Sequence, residues 1–188
     1  MCEMKILVVD LETTGFFANS DAIVEIGISL VDTKTKKVTL VFDKVVKHKK
    51  FNKKKHTNSW IFQNTTLTVE EVDKAKPLEY YKKKIQTLFD EYPMTAYNKS
   101  FDIRFLKASG FVMKDVKCLM ATAKQYSKLK DKRGGVKTPS VEEIYNQFFM
   151  KKGEVYIEEH RAGADAMDEG RILLHMCDLK AKKQLITK

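Results

Sequence analysis

The stretch VVDLETTGF, residues 8–16, ends an apolar run with two carboxylates, Asp10 and Glu12. On a β-strand alternate side chains share a face, so Ile6, Val8, Asp10 and Glu12 project one way and Leu7, Val9 and Leu11 the other. Both faces are apolar as far as Asp10, the pattern of a central strand covered on both sides. Such a strand delivers Asp10 and Glu12 together to the C-terminal end of one covered face. Two like charges held there repel and resist desolvation unless a cation joins them, and a hard divalent metal with oxygen ligands meets that need. A lysine partner for each carboxylate, or a strand ending one residue early, would meet it as well.

Outward from this strand, AIVEIGISLVD (22–32) and KKVTLVFDKVV (36–46) are rich in β-branched residues, so a three-stranded meander opens the chain. LTVEEVDKA (67–75) and PLEYYKKKIQTLFDEY (77–92) carry helical spacing, with Leu78, Tyr81, Ile85, Leu88 and Phe89 on one face. MTAY (94–97) reads as a short strand and DVKCL (115–119) as a brief edge strand. Between them SFDIRFLKASG (100–110) is a helix, capped by Ser100 and ended by Gly110. SVEEIYNQFF (140–149) has Ser140 and Glu143 in capping-box spacing, and Ala166, Gly170, Leu173, Leu174 and Cys177 mark one face of a last long helix. Strands first and helices after predict an α/β layered fold with a mixed sheet, in one domain spanning 1–188.

The 188 residues carry a formal net charge of +10, which draws polyanions and raises encounter rates with them. Part of that excess sits in VKHKKFNKKKH (46–56), lysines around a single Phe51, expected as an exposed loop or edge, and part in the polar connection KLKDKRGGVK (128–137). No apolar run reaches the roughly 18 residues of a membrane span, and the N-terminus lacks a signal-peptide pattern, which predicts no membrane association and an intracellular, cytoplasmic location. The three cysteines, Cys2, Cys118 and Cys177, have neither disulfide-framework nor zinc-site spacing.

Three segments in order resemble the DnaQ-like 3′-to-5′ exonucleases, the DEDDh subclass with four acids and a histidine. DLETTG (10–15) is similar to the first motif of that family, AYNKSFDIRFL (96–106) to the second and HRAGADA (160–166) to the third. TPSVEEIYNQFF (138–149) is similar to the connecting helix, and NTTLTVEEVDKAKP (64–77) to the helix after the third strand. The chain departs from the pattern at Tyr97, where the family often has His, and at Cys118, where many members carry Asp.

The resemblance implies an RNase H-like fold, with a mixed central sheet of about five strands flanked by helices. It implies a metal-dependent 3′-to-5′ exonuclease acting on the 3′ ends of single-stranded DNA, or of RNA, and releasing nucleoside 5′-monophosphates with two divalent ions, Mg²⁺ or Mn²⁺. By the same resemblance Asp10 bridges the ions, Glu12 and Asp165 complete the first, Asp102 assists at the second, and His160 takes the proton of the attacking water. Thr13, Phe16 and Asn98 are the candidate substrate contacts, while Phe101 reads as core packing. GEVYIEEHRAG (153–163) is the expected lid, with Gly153 and Gly163 absorbing its motion. An RNA-trimming, oligoribonuclease-like enzyme and a polymerase-associated proofreading or nucleic-acid-binding module, with a DNA polymerase or replication partner, are the alternatives.

Overall fold

The computed structural model describes residues 4–186, with side-chain surroundings as far as Ala181. Strands β1 (Lys5–Thr13), β2 (Ile23–Asp32) and β3 (Lys37–Val45) form the expected antiparallel meander. Four helices follow: α1 (Lys53–His56), α2 (Trp60–Asn64), α3 (Val69–Lys74) and α4 (Leu78–Glu91). The short β4 (Met94–Thr95) then joins β1 in parallel, giving the sheet order β3-β2-β1-β4. The chain ends through α5 (Lys99–Ala108), α6 (Leu119–Lys124), α7 (Val141–Phe149) and the long α8 (Ala162–Ile186). Among the described residues, no helix is long and apolar enough to cross a membrane.

Among the described residues the sheet has four strands rather than about five. The segment expected as an edge strand, DVKCL, makes a single parallel bridge from Asp115 to Met94. Met94 donates to the Lys114 carbonyl at 2.9 Å and its own carbonyl accepts from Val116 at 2.9 Å, after which the chain turns into α6. A strand two residues long offers its neighbour too little ladder to extend.

Because β1 is interior, it is covered on both faces, and alternation divides its side chains as expected. Leu7, Val9 and Leu11 pack with Ile26, Ile28, Phe89, Phe105 and Leu106 in a core that uses α4 and α5. Ile6 and Val8 pack on the other side with Leu119, Ile144, Ile172 and Met176, drawn from α6, α7 and α8. Asp10 and Glu12 therefore continue the face that α8 crosses. The crossing is close: a Cβ on Gly27, the cross-strand partner of Asp10, would lie 1.8 Å from the Ala162 carbonyl oxygen. Ser29 on the same strand donates its hydroxyl to the Ala166 carbonyl at 2.7 Å. A β-carbon at position 27 would push the start of α8, and with it Asp165, off the sheet.

Local chemistry sets the helix ends. Ser140 with Glu143 forms a complete capping box, as expected, and Thr68 with Glu71 forms a second one that the sequence reading did not single out. The N-cap position of α5 is Asn98, not Ser100, and its side chain makes no cap bond; Ser100 lies inside the helix and donates to Asn98 Oδ1 at 3.1 Å. Gly110 does end α5, at φ 77°, a left-handed turn that glycine adopts without penalty. Phe51, expected among exposed lysines, is buried with Ile61, Leu67 and Val72 in a satellite cluster, because the lysine run folds into α1 and turns its aromatic ring inward.

Candidate active site

Three elements and the irregular chain before α8 converge at the C-terminal end of β1. That strand brings Asp10 and Glu12, the first turn of α5 brings the buried Asp102, and the first turn of α8 brings the buried Asp165. His160 stands two residues before α8, in left-handed backbone at φ 53°, an uncommon conformation for any residue but glycine. Ligand atoms of Glu12, His160 and Asp165 lie within 4.8 Å of one another. Asp10 and Asp102 are not in that trio, but their charges reach it: Asp102 and Asp165 both act on Asp10, and Glu12 acts on Asp102.

Desolvation dominates the electrostatics and mutual repulsion adds to it. Burial first, then Glu25 and Glu158, push the Glu12 carboxyl up to about 8, with Arg161 pulling the other way. Burial followed by Glu158 and Glu12 pushes Asp165 up to about 8. Asp10 is raised by burial and by Glu169, Glu12, Asp102 and Asp165 together. Burial raises Asp102 too, although backbone N–H groups of Asp102 and Leu11 partly offset it. Asp165 Oδ1 is buried with no hydrogen-bond partner, an arrangement that costs free energy unless a donor or a cation meets the oxygen.

One neighbouring carboxylate is neutralised. Glu25, directly opposite Glu12 across β1 and β2, receives Arg161 Nε at 3.1 and 3.0 Å and Nη2 at 2.7 Å, and the Ala162 N–H at 3.2 Å. Arg161 also reaches the Thr66 hydroxyl at 3.2 Å. This bidentate pair, with Glu25 buried and Arg161 half-buried, clamps the residue after His160 to the sheet. The segment before His160 is held from the other side. Asn146 accepts the Tyr156 N–H at 2.8 Å and donates to its carbonyl at 3.0 Å, Glu142 accepts from Glu158 N–H at 3.0 Å, and the Tyr156 hydroxyl donates to Asp168 at 2.8 Å. Gly153, at φ 94° in open space, fits the expected lid hinge. Gly163 does not, since it lies within α8 and a Cβ there would meet the Asp43 carboxylate at 2.4 Å.

Beside Glu12 opens a cavity of about 390 Å³ whose walls include Thr13, Phe16, Trp60, Ile61 and Phe101. Phe16 is 75% exposed and meets Phe101 edge-on at 6.4 Å, so Phe101 serves both the cavity and the rim of the core. Thr13 donates its hydroxyl to the Gly15 carbonyl at 2.7 Å, shaping the turn that carries Phe16. Asn98 is exposed at the start of α5 and does not line this cavity.

Several residues here escaped the sequence reading. Glu169 is buried one helical turn beyond Asp165, accepts the Tyr97 N–H at 3.0 Å and, through burial and the charge of Asp102, is raised well above the usual carboxylate range. Its i, i+4 spacing from Asp165 is the signal that places both on one helix face. Glu158, pushed up to about 7 by burial and by Glu142 and Asp168, had no such signal, because it lies on irregular chain. Tyr97, a departure from the family pattern, is a buried anchor whose hydroxyl donates toward the carbonyls of Pro139 at 2.8 Å and Ser140 at 3.0 Å. Cys118, the other departure, donates its thiol to the Tyr97 carbonyl at 3.2 Å.

The RNase T exonuclease family model matches residues 7–173. No curated protein sequence matches the chain. Among solved structures, the fold is similar to a full-length 3′-exonuclease, with TM-score 0.67 at 15% identity over 94% of this chain and 82% of that one. It is similar to the nuclease domain of 3′hExo, a DEDDh family member bound to rAMP, with TM-score 0.65 at 16% identity over 94% and 93%. It is also similar to E. coli exonuclease I in complex with a dT13 oligonucleotide, with TM-score 0.66 at 14% identity over 98% and 43%. At these identities the structural likeness establishes the fold, which this chain shares with those exonucleases, and the family model, spanning most of the chain, establishes membership: the protein belongs to the RNase T exonuclease family.

Proposed function

We propose that residues 1–188 form one exonuclease domain that hydrolyses the terminal phosphodiester at the 3′ end of single-stranded DNA and releases nucleoside 5′-monophosphates. The observation that carries this reading is the convergence of Asp10, Glu12, Asp102 and Asp165 beside His160, with Asp165 Oδ1 buried and without a hydrogen-bond partner. Enzymes of this family depend on divalent metal, and the donor set fits one: carboxylate oxygens suit Mg²⁺ or Mn²⁺, and each of the four acids gains by meeting a cation. Asp10 would be shared between two ions, Glu12 and Asp165 would hold one, and Asp102 would assist the other. When bound, such ions supply charge stabilisation at phosphorus and make water acidic enough to attack near neutral pH.

The chain's own residues supply the remainder. His160 takes the proton from the attacking water, a role suited to an imidazole, and its approach to Glu12 and Asp165 supports this reading. The cavity beside Glu12 receives the terminal nucleotide, with Phe16 and Phe101 offering ring surface to the base and Thr13 at its wall. Exposed lysines of the two basic runs, Lys49 and Lys54 in the first and Lys128 and Lys132 in the second, guide backbone phosphates without reading sequence. Asn98, at the head of α5, is a more distant candidate contact.

Incubation of folded protein with matched 3′- and 5′-labelled DNA and RNA oligonucleotides in Mg²⁺ tests the reading. Stepwise shortening from the 3′ end supports it, and none on either polymer overturns it. A strong preference for RNA would move the assignment to the RNA-trimming reading, for which the rAMP-bound relative is the supporting observation.

A further inference from the structure

The proton acceptor of the proposed reaction has a neighbour that the four acids do not explain. Trp60 and His160 meet with ring centroids 5.1 Å apart and planes at 89°, the perpendicular geometry in which the edge of one aromatic ring faces the electron-rich face of another. Trp60 is 56% exposed, so it is not held there by core packing. Its mount is firm all the same. The next residue on α2, Ile61, is buried in the satellite cluster, and Phe62 packs against Phe51 edge-on at 6.3 Å. The indole is thus an exposed ring on an anchored helix.

His160, conversely, is clamped in its backbone, while its ring meets the indole of Trp60. Arg161 is tied to Glu25 on one side, and Glu158 and Tyr156 are tied to Glu142 and Asn146 on the other. Those contacts fix where the Cα of His160 sits and leave side-chain rotation to be decided by what the imidazole touches. The indole also forms part of the wall of the cavity beside Glu12, together with Phe16 and Phe101.

Resting on the exonuclease reading, we propose that Trp60 is a positioning residue for His160: its perpendicular ring contact selects the imidazole orientation directed at Glu12 and Asp165. A nucleobase seated in the adjoining cavity packs against the same indole and reinforces that orientation. Occupation of the terminal-base cavity is thereby coupled to readiness of the proton acceptor, which disfavours turnover when the cavity is empty or poorly filled.

Trp60 is the only tryptophan of the chain, so its emission reports on the contact without any turnover. Replacing His160 by Ala should alter that emission, and so should adding a nucleoside 5′-monophosphate to the wild type; indifference to the first overturns the contact, and to the second the coupling. In activity, Trp60→Leu should lower kcat at saturating substrate about three- to tenfold, the population shift expected from losing one aromatic pair, in addition to any rise in KM from the lost base contact. Trp60→Phe, which keeps a ring, should recover most of the loss. In a His160→Ala background the Trp60→Leu change should leave kcat unaltered. A Trp60→Leu effect confined to KM, or one of equal size in the His160→Ala background, overturns the proposal. A folded but inactive wild type would instead overturn the exonuclease reading, while the emission measurements still judge the ring contact.

Discussion

The four carboxylates and the histidine are mounted in opposite ways. Asp10 and Glu12 ride on the interior strand, and Asp102 and Asp165 on the first turns of helices packed against the sheet. His160 rides on irregular chain between α7 and α8, in left-handed backbone, steadied by side-chain bonds from Asn146, Glu142 and Glu25 and by the ring of Trp60. Groups that hold a metal tolerate little positional play, so they belong on elements whose geometry packing determines. A group proposed to move a proton needs its ring to turn, and a backbone held by its neighbours permits that.

Breaking the rigid side should do the most damage. Asp10→Ala is expected to lower turnover by about a thousandfold or more, as loss of a preorganised charge in a reacting centre does, while nucleic-acid binding measured by fluorescence anisotropy stays largely intact. His160→Ala should lower kcat by on the order of a hundredfold, within the range for losing a general base, with Mg²⁺ or Mn²⁺ affinity by calorimetry little changed. If that variant lost metal as completely as Asp165→Asn, the division between rigid ligands and a tethered base would fail.

The acid cluster also predicts a pH response. For Glu12 and Asp165 the folded values of about 8 lie above those of the unfolded chain, so the folded state binds the extra protons. In metal-free protein their contribution is fully present below about pH 4 and is lost as pH rises toward about 8. Thermal melts should therefore show metal-free stability declining from pH 6 to 8.5, and Mg²⁺ raising Tm more at the alkaline end. A flat difference between the two curves would contradict the buried, cation-seeking cluster. The smallest effect belongs to the tether. Asn146→Ala removes both bonds to Tyr156, at a cost of about 1–2 kcal/mol in stability, and should lower kcat a few-fold while speeding proteolysis between residues 150 and 160.

How much of this was legible beforehand differs by region. The face of β1 that carries Asp10 and Glu12 follows from alternation alone, and the capping box at Ser140 follows from spacing alone, because both are local. The second basic run and the first read alike as charge, yet Phe51 in the first is core, since burial depends on what lies across from it. The edge segment at Asp115 has strand-like residues but only one bridge to its neighbour, because β4 is too short to template more. Ser100 has the composition of a cap, while the chain enters α5 two residues sooner, at Asn98.

Residue order by itself determined the sheet meander, the interior position of the first strand, and the five groups of the candidate site with their order along the chain. The meander and the face of the first strand are properties of periodicity, which a sequence carries directly, while Asp102, His160 and Asp165 came from the resemblance of three ordered motifs to the DnaQ-like exonucleases. Only the tertiary structure decided that Glu25 is neutralised by Arg161, that Glu169 lies buried behind the acids, and that Trp60 stands against His160 from exactly one hundred residues away. Each of these joins groups far apart in the chain, so it depends on how the segments pack together, as α8 does on the sheet at Gly27, and no local pattern encodes that.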